Sequence, residues 1–454
     1  MELKNIILPF QDTSTQWDLR IEEGVVTSMK PPTEKTTPSI MLPSLCHPHI
    51  HLDKPYLLTC NHPESSNHPE YFDLAPKTGG FQEALANTAE AKKRYTEEDL
   101  YLRGSQLIAT SYKQGVTFMR AFVEVDSVTE LKTLEVGIRL KKEFEDFVRV
   151  QICAFAQDPI FSTEKGDANR AMFEKALEQF GSDIEVIGST PYVESDLEAQ
   201  NQNIRWAIKT ALRHGKHLDF HIEFNLKGDG THMSVFDHVI EELECLKWPT
   251  YPGAPTVVFG HATRLTRATH DDLVKLSQKL KETKLPVHFV GLPTSDLYMM
   301  GRHGSDGSEP SEPLSRPCGT IMVPKLIKDY GINACLSVNN VGNPFTPHGD
   351  GDPLKIATLG VGLFHAGTVD NAKILYEAIS TRAMDALNPR AEVHHEMFTL
   401  AESRQTMPML LFRNEENIEI TSELGSIKVP ARQRLSIQDI VWDPPETRLR
   451  SIVE

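Results

Sequence analysis

The sequence predicts an α/β protein, a TIM (β/α)8 barrel with a small β unit formed from the two ends of the chain. Short β-rich runs alternate with helical stretches through the middle of the chain, and eight such runs can be counted. Both ends of the chain instead contain strand-like runs separated by turns. We therefore predict a barrel domain over residues 43–395, with residues 1–42 and 396–454 as the two parts of the terminal β unit.

The strand-like runs at the chain ends are short and apolar, and turn residues interrupt them. Near the N-terminus they cover residues 4–9, 17–21 and 25–29. Beyond about residue 400 four runs have the same character, over residues 409–412, 418–420, 426–429 and 437–442. We expect the two sets to complete one β unit.

Eight runs between the terminal segments are predicted to form the barrel strands. Their expected carboxyl ends lie near His51, Glu124, Gln157, Tyr192, Glu223, His261, Leu292 and Asn339. Catalytic groups of TIM barrels lie at this edge of the sheet, so residues at these strand ends are the candidates for chemistry.

Helix signals separate the predicted strands. Thr96 followed by Asp99 resembles a capping box, and residues 131–147 have an amphipathic, charge-rich pattern. Residues 301–317 contain much Gly, Ser and Pro, which indicates an irregular loop over the seventh strand and a candidate lid.

Composition excludes several functional classes. The net charge is −16 over 454 residues and is spread along the chain, so we predict no nucleic-acid partner. No run approaches the roughly 18 apolar residues of a membrane span, and the first apolar run is too short for a signal peptide, so we expect a cytoplasmic protein with no membrane partner. Six cysteines lie far apart without a Cys-x-x-Cys pair, which argues against a disulfide framework or a zinc ribbon. The sequence leaves open whether the chain forms a homo-oligomer.

The segment that spans residues 48–54, PHIHLDK, is the strongest indication of chemistry. Side chains alternate faces along a strand, so His49 and His51 project to the same side while Ile50 and Leu52 pack on the other. Two neutral imidazoles at this spacing suit Zn, Fe, Mn or Ni. The alternative is a hydrogen-bonded histidine cluster without a metal.

The predicted fifth strand contributes a third histidine. Asp219, His221 and Glu223 alternate with phenylalanine and isoleucine, so the polar set shares one face and points into the barrel. This places His221 as a third metal ligand and Glu223 near the reacting atoms. The alternative for Glu223 is a buried carboxylate that orients a neighbouring histidine.

The sixth and eighth strands end in two further candidates. His261 follows an apolar run and a glycine, so it emerges at the same rim as a ligand, a polarising group or a rim hydrogen-bond partner. Asn339 ends the eighth strand. Its carbonyl oxygen can bind a metal, but an amide cannot take a proton from water near neutral pH.

Several segments resemble the cytosine deaminase branch of the amidohydrolase superfamily, and the similarity covers most of residues 43–390. They are residues 48–54, 151–157, 260–263, 292–302 and 316–340. The resemblance implies a barrel flanked by a small β-sandwich, whose two parts would be residues 1–42 and 396–454. By position it implies that His49, His51 and His221 bind a metal, that His261 polarises the substrate or its oxyanion, and that Gln157 contacts an amide edge of the substrate.

The chain departs from this resemblance at two proton-handling carboxylates. Phe224 stands where these deaminases have a glutamate, and Asn339 stands where they have an aspartate. Losing a positioned acid or base typically costs about 10²- to 10⁴-fold in rate, so cytosine deamination itself is not expected. Glu223, one residue before the lost glutamate, is our candidate general acid/base because strand parity points it inward.

Together these features predict a metal-dependent hydrolase acting on a non-peptide C–N bond of a small cyclic amide, amidine or lactam. The expected cofactor is one divalent ion, zinc first, with iron or manganese as alternatives. Tyr192, Asp296 and Arg302 are candidate substrate contacts, with packing or loop support as the alternative for each. Two other functions stay open: a non-hydrolytic metalloenzyme such as a lyase, cyclase or isomerase, which Asn339 favours, and a catalytically silent small-molecule binder.

Overall fold

The structure is a computed structural model of the chain. It describes residues 1–453 apart from residues 11, 35, 61–67, 227–233, 302–318, 388–399 and 403–406. The predicted lid over residues 301–317 therefore lies outside the described residues except for Gly301, and Arg302 lies outside them as well.

Sixteen strands are found in the described part of the chain. They are β1 (Glu2–Leu8), β2 (Asp12–Glu22), β3 (Val25–Lys30), β4 (Ser39–Pro43), β5 (Leu45–His51), β6 (Val116–Glu124), β7 (Arg149–Ala156), β8 (Ile184–Ser189), β9 (His217–Ile222), β10 (Val257–His261), β11 (Val287–Gly291), β12 (Ala334–Leu336), β13 (Met409–Phe412), β14 (Asn417–Ser422), β15 (Gly425–Pro430) and β16 (Arg450–Val453).

The helices fall mainly between the central strands. They are α1 (Phe81–Lys92), α2 (Glu97–Gln114), α3 (Lys132–Glu143), α4 (Gly166–Phe180), α5 (Leu197–His214), α6 (Ser234–Cys245), α7 (His270–Thr283), α8 (Pro293–Met299), α9 (Val323–Tyr330), α10 (Pro353–Leu363), α11 (Val369–Ala378), α12 (Thr381–Leu387) and α13 (Ile437–Trp442). At the start of α2, the Thr96 side chain accepts from the backbone N–H of Asp99, as the sequence predicts for an N-cap.

The eight strands β5 to β12 form one parallel sheet in sequence order, which confirms the predicted barrel. Its first and last strands meet through an isolated bridge between Ile50 and Asn339, where the His51 N–H donates to the Asn339 carbonyl at 2.9 Å. Outward-facing phenylalanines such as Phe220, Phe259 and Phe289 pack beneath the surrounding helices. The intervening positions of the strands are left for the barrel interior.

The terminal segments form a separate six-stranded sheet in the order β16-β13-β4-β1-β2-β3. Strand β4 is its centre, because it pairs in parallel with β1 and antiparallel with β13. Both ends of the chain thus contribute to one unit, as the sequence predicts. Strands β14 and β15 form a two-stranded hairpin of their own.

One predicted strand in the C-terminal segment is wrong. Residues 437–442 form helix α13, because Ser436 accepts from the Asp439 N–H as an N-cap and the buried residues Ile437, Ile440 and Val441 follow helical spacing. The last strand of the sheet is instead β16, which the sequence does not predict. Among the described residues, no helix combines the length and apolar character needed to cross a membrane.

Candidate active site

Three histidines predicted as metal ligands meet at the carboxyl ends of the barrel strands. His49 and His51 lie at the end of β5, and His221 lies near the end of β9. The Nε2 atom of His221 is 3.1 Å from the Nε2 atom of His49 and 3.1 Å from that of His51. All three rings are buried.

This convergence fits a bound cation. Each Nε2 has a single in-plane site, either a proton or a lone pair, so without a cation His221 Nε2 cannot form a well-directed hydrogen bond with both neighbours at once. Tetrahedral ligands at about 2.0–2.1 Å from a zinc ion lie about 3.3 Å apart, close to the observed separations. Burial lowers the pKa of all three imidazoles, which favours the neutral form that binds metals.

Carboxylates lie on the opposite side of two of these rings. Asp219 Oδ1 is 3.7 Å from His49 Nδ1, and Asp53 Oδ1 is 4.0 Å from His51 Nδ1. A carboxylate beside Nδ1 favours the proton there and leaves the Nε2 lone pair for a metal. Asp219 is itself held by Arg120, whose Nη1 donates to Asp219 Oδ2 at 2.8 Å.

Aromatic rings line the other faces of the cluster. The Phe122 ring centroid is 4.1 Å from that of His49, and the Phe155 centroid is 4.4 Å from that of His221. Phe122 and Phe155 are completely buried, so this side of the cluster is shielded from water. Gly260 packs against a third side of the His49 ring. Its lack of a side chain leaves space for the ring, because a Cβ there would lie 2.8 Å from His49 Cε1.

His261 lies beside the cluster and is oriented by Asp296. Its Nδ1 is 2.7 Å from Asp296 Oδ1, while Asp296 Oδ2 accepts from the Thr320 hydroxyl at 2.7 Å and the Leu292 N–H at 3.1 Å. Both Asp296 oxygens therefore have partners other than a substrate. Imidazole nitrogens of His261, His49 and His221 all lie within 4.8 Å of one another, so His261 is also near enough to join a metal centre after small adjustments.

Asn339 lies beside the same cluster and lines a cavity together with His51 and His221. Its Nδ2 donates to Ser295 Oγ at 3.0 Å, and the Ser295 hydroxyl is 2.6 Å from Thr346 Oγ1. This contact fixes the orientation of the amide and leaves the buried Oδ1 without a hydrogen-bond partner among the described residues. An unpaired carbonyl oxygen on a residue whose side chain interacts with His51 fits a fourth, neutral metal ligand.

The strand-parity argument for Glu223 does not hold in the structure. Strand β9 ends at Ile222, and Glu223 has φ +50°, so the alternation stops one residue too early. Glu223 faces Arg264, whose Nη1 is 3.3 Å from its Oε2, whereas Phe224 lines the cavity in front of the histidines. Burial raises the pKa of the Glu223 carboxyl, and Arg264 opposes that rise.

A narrow cavity opens in front of the cluster. Among the predicted site residues, His51, His221, His261, Asn339, Gln157 and Tyr192 line it. Asp296 and Glu223 are not part of its wall, and no described residue of that wall is an aspartate or glutamate. Phe81, Phe224 and Phe345 supply apolar surface.

A lysine that sequence reasoning missed also lines the cavity. Lys54 is buried, pairs with Glu124 and donates to Gln157 Oε1 at 2.6 Å. Glu124 is shared with a second buried lysine, Lys92, which pairs with Glu124 (2.7 Å), Asp126 (2.5 Å) and Asp158 (2.9 Å). The available signal was the position of Lys54 directly after the two histidines and Asp53 in one short motif.

Comparisons with known proteins agree with this architecture. The family model described as "Amidohydrolase family" matches residues 40–407. The chain is 24% identical over 194 residues to the N-isopropylammelide isopropyl amidohydrolase of Pseudomonas sp. (strain ADP), covering 42% of this chain and 43% of that protein. It is 22% identical over 327 residues to the pterin deaminase of Rhizobium rhizogenes, covering 71% and 65%. The matches thus span less than two thirds of each relative.

A solved structure shares the fold over the whole chain. The 5-methylcytosine deaminase of Klebsiella pneumoniae, liganded with phosphonocytosine, superposes with a TM-score of 0.73 at 20% identity and covers 100% of this chain and 95% of that chain. Its similarity shows that the barrel and the terminal sheet occur together in a known architecture.

Proposed function

Because this chain belongs to the amidohydrolase family, we propose that it is a metal-dependent hydrolase that cleaves a non-peptide C–N bond of a small cyclic amide, amidine or lactam. The convergence of the Nε2 atoms of His49, His51 and His221 carries the proposal. These imidazoles, with Asn339 Oδ1, would hold one divalent ion, zinc first and iron or manganese as alternatives. When bound, such an ion supplies Lewis acidity that acidifies water and polarises the carbon under attack.

The polar groups of the cavity wall favour a substrate rich in hydrogen-bond acceptors. Gln157 Oε1 accepts from Lys54, and Asn340 Oδ1 accepts from Asn343 Nδ2 at 2.7 Å. No described residue accepts a hydrogen bond from either NH2 group, so both can donate to a ligand. Carbonyl oxygens and ring nitrogens of a flat heterocycle would pair with these donors, and Phe81 and Phe345 would contact its ring faces.

In this proposal His261 handles the proton. Its Nδ1 donates to Asp296, so its Nε2 keeps the lone pair and can accept a proton and return it to the leaving nitrogen. Asp296 acts as the positioning residue for His261 rather than as a substrate contact. Glu223 faces Arg264 and is separated from the cavity wall, so a direct role for it would need a different loop conformation.

The two candidates for proton transfer can be separated by substitution. We expect His261→Asn to lower kcat by about 10²- to 10⁴-fold at retained metal content, and Glu223→Gln to stay close to wild type. The variants are compared in a screen of cyclic amides, amidines and lactams with release of ammonia or amine as the readout. The reverse result would assign the acid/base role to Glu223, as strand parity in the sequence suggested.

Metal binding is tested by elemental analysis of the full chain after loading with zinc, iron or manganese. The expected result is about one ion per chain for wild type and loss of the ion in His51→Asn and His221→Asn. His47→Asn is the matched control, because His47 is a buried histidine of the same strand that contacts Ser111 of α2 instead of the cluster. A folded wild-type protein that stays metal-free would favour the silent binder.

Asn339→Asp tests the missing carboxylate directly. A charged oxygen in place of the neutral Oδ1 should raise the affinity for a divalent ion at least about tenfold, because ligand charge adds to the attraction. Metal titration followed by competition with a chelator measures the change. Asn340→Asp is the control at the neighbouring cavity residue, where we expect a smaller gain in metal affinity.

A second candidate function is a non-hydrolytic metalloenzyme, such as a lyase, cyclase or isomerase. The observation that favours it is a described cavity wall without any aspartate or glutamate. Turnover in ¹⁸O-labelled water distinguishes the two: a hydrolase incorporates solvent oxygen into its product, and a lyase or isomerase of this kind does not.

A further inference from the structure

The hairpin of β14 and β15 carries an apolar face that the described part of the chain leaves largely uncovered. Ile418 stands opposite Val429 and Ile420 opposite Ile427, so these four side chains share one face. Their exposed fractions are 50%, 43%, 63% and 66%, and Leu424 in the turn is fully exposed. Four β-branched residues and a leucine in this arrangement form what we call the hairpin patch.

The opposite face of the hairpin is polar. Glu419 stands opposite Lys428 and Thr421 opposite Ser426, and the Ser426 hydroxyl donates to Glu419 at 2.6 Å. Such alternation is typical of a sheet with one buried and one solvated face. Here both faces are exposed, because β14 and β15 pair only with each other among the described strands.

A two-stranded hairpin is marginally stable by itself in water. The alternating pattern therefore calls for a second layer over the hairpin patch, and the described residues of one chain do not supply it.

We propose that the hairpin patch of a second copy of this chain supplies that layer, with the two patches packed face to face. The patch is purely aliphatic, without a charge that would select a charged partner, and an aliphatic surface is complementary to itself. Two-fold dimers are the commonest soluble assemblies, and in them the same patch meets its own copy.

The area of the hairpin patch is sufficient for the centre of a dimer interface. A fully exposed aliphatic side chain offers roughly 60–120 Å² of apolar surface, so the five side chains at their observed exposures offer roughly 300 Å². A standard interface buries about 800 Å² per partner, of which a little over half is apolar. The hairpin patch thus provides most of the apolar area, and neighbouring polar surface would form the rim.

The test is the mass of the full chain in solution, measured by light scattering and sedimentation over a wide range of concentration. We expect wild type to have at least twice the mass of one chain. Ile420→Asp and Ile427→Asp should weaken association at least about a hundredfold, because each places charge in the apolar interface. Circular dichroism and thermal melting establish that each variant is folded.

Matched controls lie one residue away on the polar face. Thr421→Asp and Ser426→Asp add the same charge to the same strands and should leave the assembly intact. A wild-type protein that is monomeric throughout would overturn the proposal and indicate that another segment of this chain or a different protein covers the hairpin patch. Assembly that persists in the isoleucine variants, or that is lost equally in the controls, would also overturn it.

Discussion

Gly260 shows how a single residue protects the geometry of the histidine cluster. A Cβ at this position would lie 2.8 Å from Cε1 and 3.0 Å from Nδ1 of His49. The Phe122 ring packs against His49 at a centroid distance of 4.1 Å, so the imidazole has little room to move away. In a closely packed interior such a clash is transmitted to the ring instead of being absorbed.

Gly260→Ala should therefore weaken metal binding more than it weakens the fold. We expect a loss of about tenfold or more in affinity for a divalent ion, with overpacking costing about 1–3 kcal/mol of stability. Gly362→Ala in α10 is the control, because a Cβ there meets nothing within 4 Å. Metal titration and chemical denaturation measure the two effects, and wild-type metal affinity in Gly260→Ala would contradict the expectation.

His288, a histidine outside the cluster, makes the stability of the protein depend on pH. Burial, and then the Arg120 guanidinium, lower the pKa of His288 to about 4 from 6.5. Between these two values the unfolded chain binds a proton that the folded chain does not, so stability is lost as the pH falls from 6.5 towards 4. The loss from this residue is at most about 3 kcal/mol, and solvent screening reduces it because the ring is only partly buried.

His288→Gln should make the acid side of the stability curve flatter. The measurement is the free energy of unfolding by urea at intervals between pH 7 and pH 4 for wild type and variant. The difference between the two proteins isolates this histidine from other groups that titrate in the same range. Parallel curves would mean that His288 does not change its protonation behaviour on folding.

At the scale of elements, alternation in the sequence predicts which face of a strand each side chain occupies, but only up to the residue at which the strand ends. Alternation along β9 correctly predicts that Asp219 and His221 share a face, since both contact the barrel interior. It fails at Glu223, where a left-handed backbone ends the strand and brings Phe224 to the cavity. Such turns depend on packing at the rim, which a period-two pattern does not contain.

Short apolar runs were equally ambiguous at the C-terminal end. Residues 437–442 can be a strand or a helix by hydrophobicity alone, and the Ser436 cap decides for the helix. Lys54 and its partners were missed for a different reason. Glu124 and Lys92 are distant in sequence, so their ion pairs arise only when β6 and α1 are folded together.

Helix α1 is positioned by the network that contains Lys92. Phe81 and Leu85 in its first half line the cavity, and Lys92 in its last turn pairs with Glu124, Asp126 and Asp158. Burial would lower the pKa of Lys92, but these carboxylates outweigh burial and raise it well above its usual value. The lysine is therefore charged in the folded protein and anchors the helix electrostatically.

Lys92→Met should cost about 3–5 kcal/mol of stability, because it leaves buried carboxylates without their cation. The adjacent Lys93→Met is the control. Lys93 is mostly exposed and pairs with Glu90 on the surface, where solvent screening makes an ion pair contribute little to stability. Urea denaturation measures both, and equal effects would show that burial does not distinguish the two lysines.

At the scale of the whole molecule, the terminal sheet is joined to the barrel by the chain and by a buried ion pair. Strand β4 leads directly into β5, so the sheet centre is continuous with the strand that carries His49 and His51. On the C-terminal side, Arg450 of β16 donates to Asp352 Oδ1 at 3.0 Å. The sequence predicts that both chain ends share one unit, but it contains no local signal for this pairing over 98 residues.

Arg450→Met should destabilise the attachment of the C-terminal strand β16 to the barrel. Asp352 caps α10 by accepting from the Leu354 N–H at 3.0 Å, and without Arg450 its buried charge would have no cation. We expect a loss of about 3–5 kcal/mol and earlier cleavage near the C-terminus in limited proteolysis. Arg448→Met is the control, since Arg448 pairs with Glu415 at an exposed position and should have a much smaller effect on stability. Cleavage of both variants at the wild-type rate would contradict this expectation. It would indicate that packing attaches the terminal sheet to the barrel and that the Arg450–Asp352 ion pair contributes little.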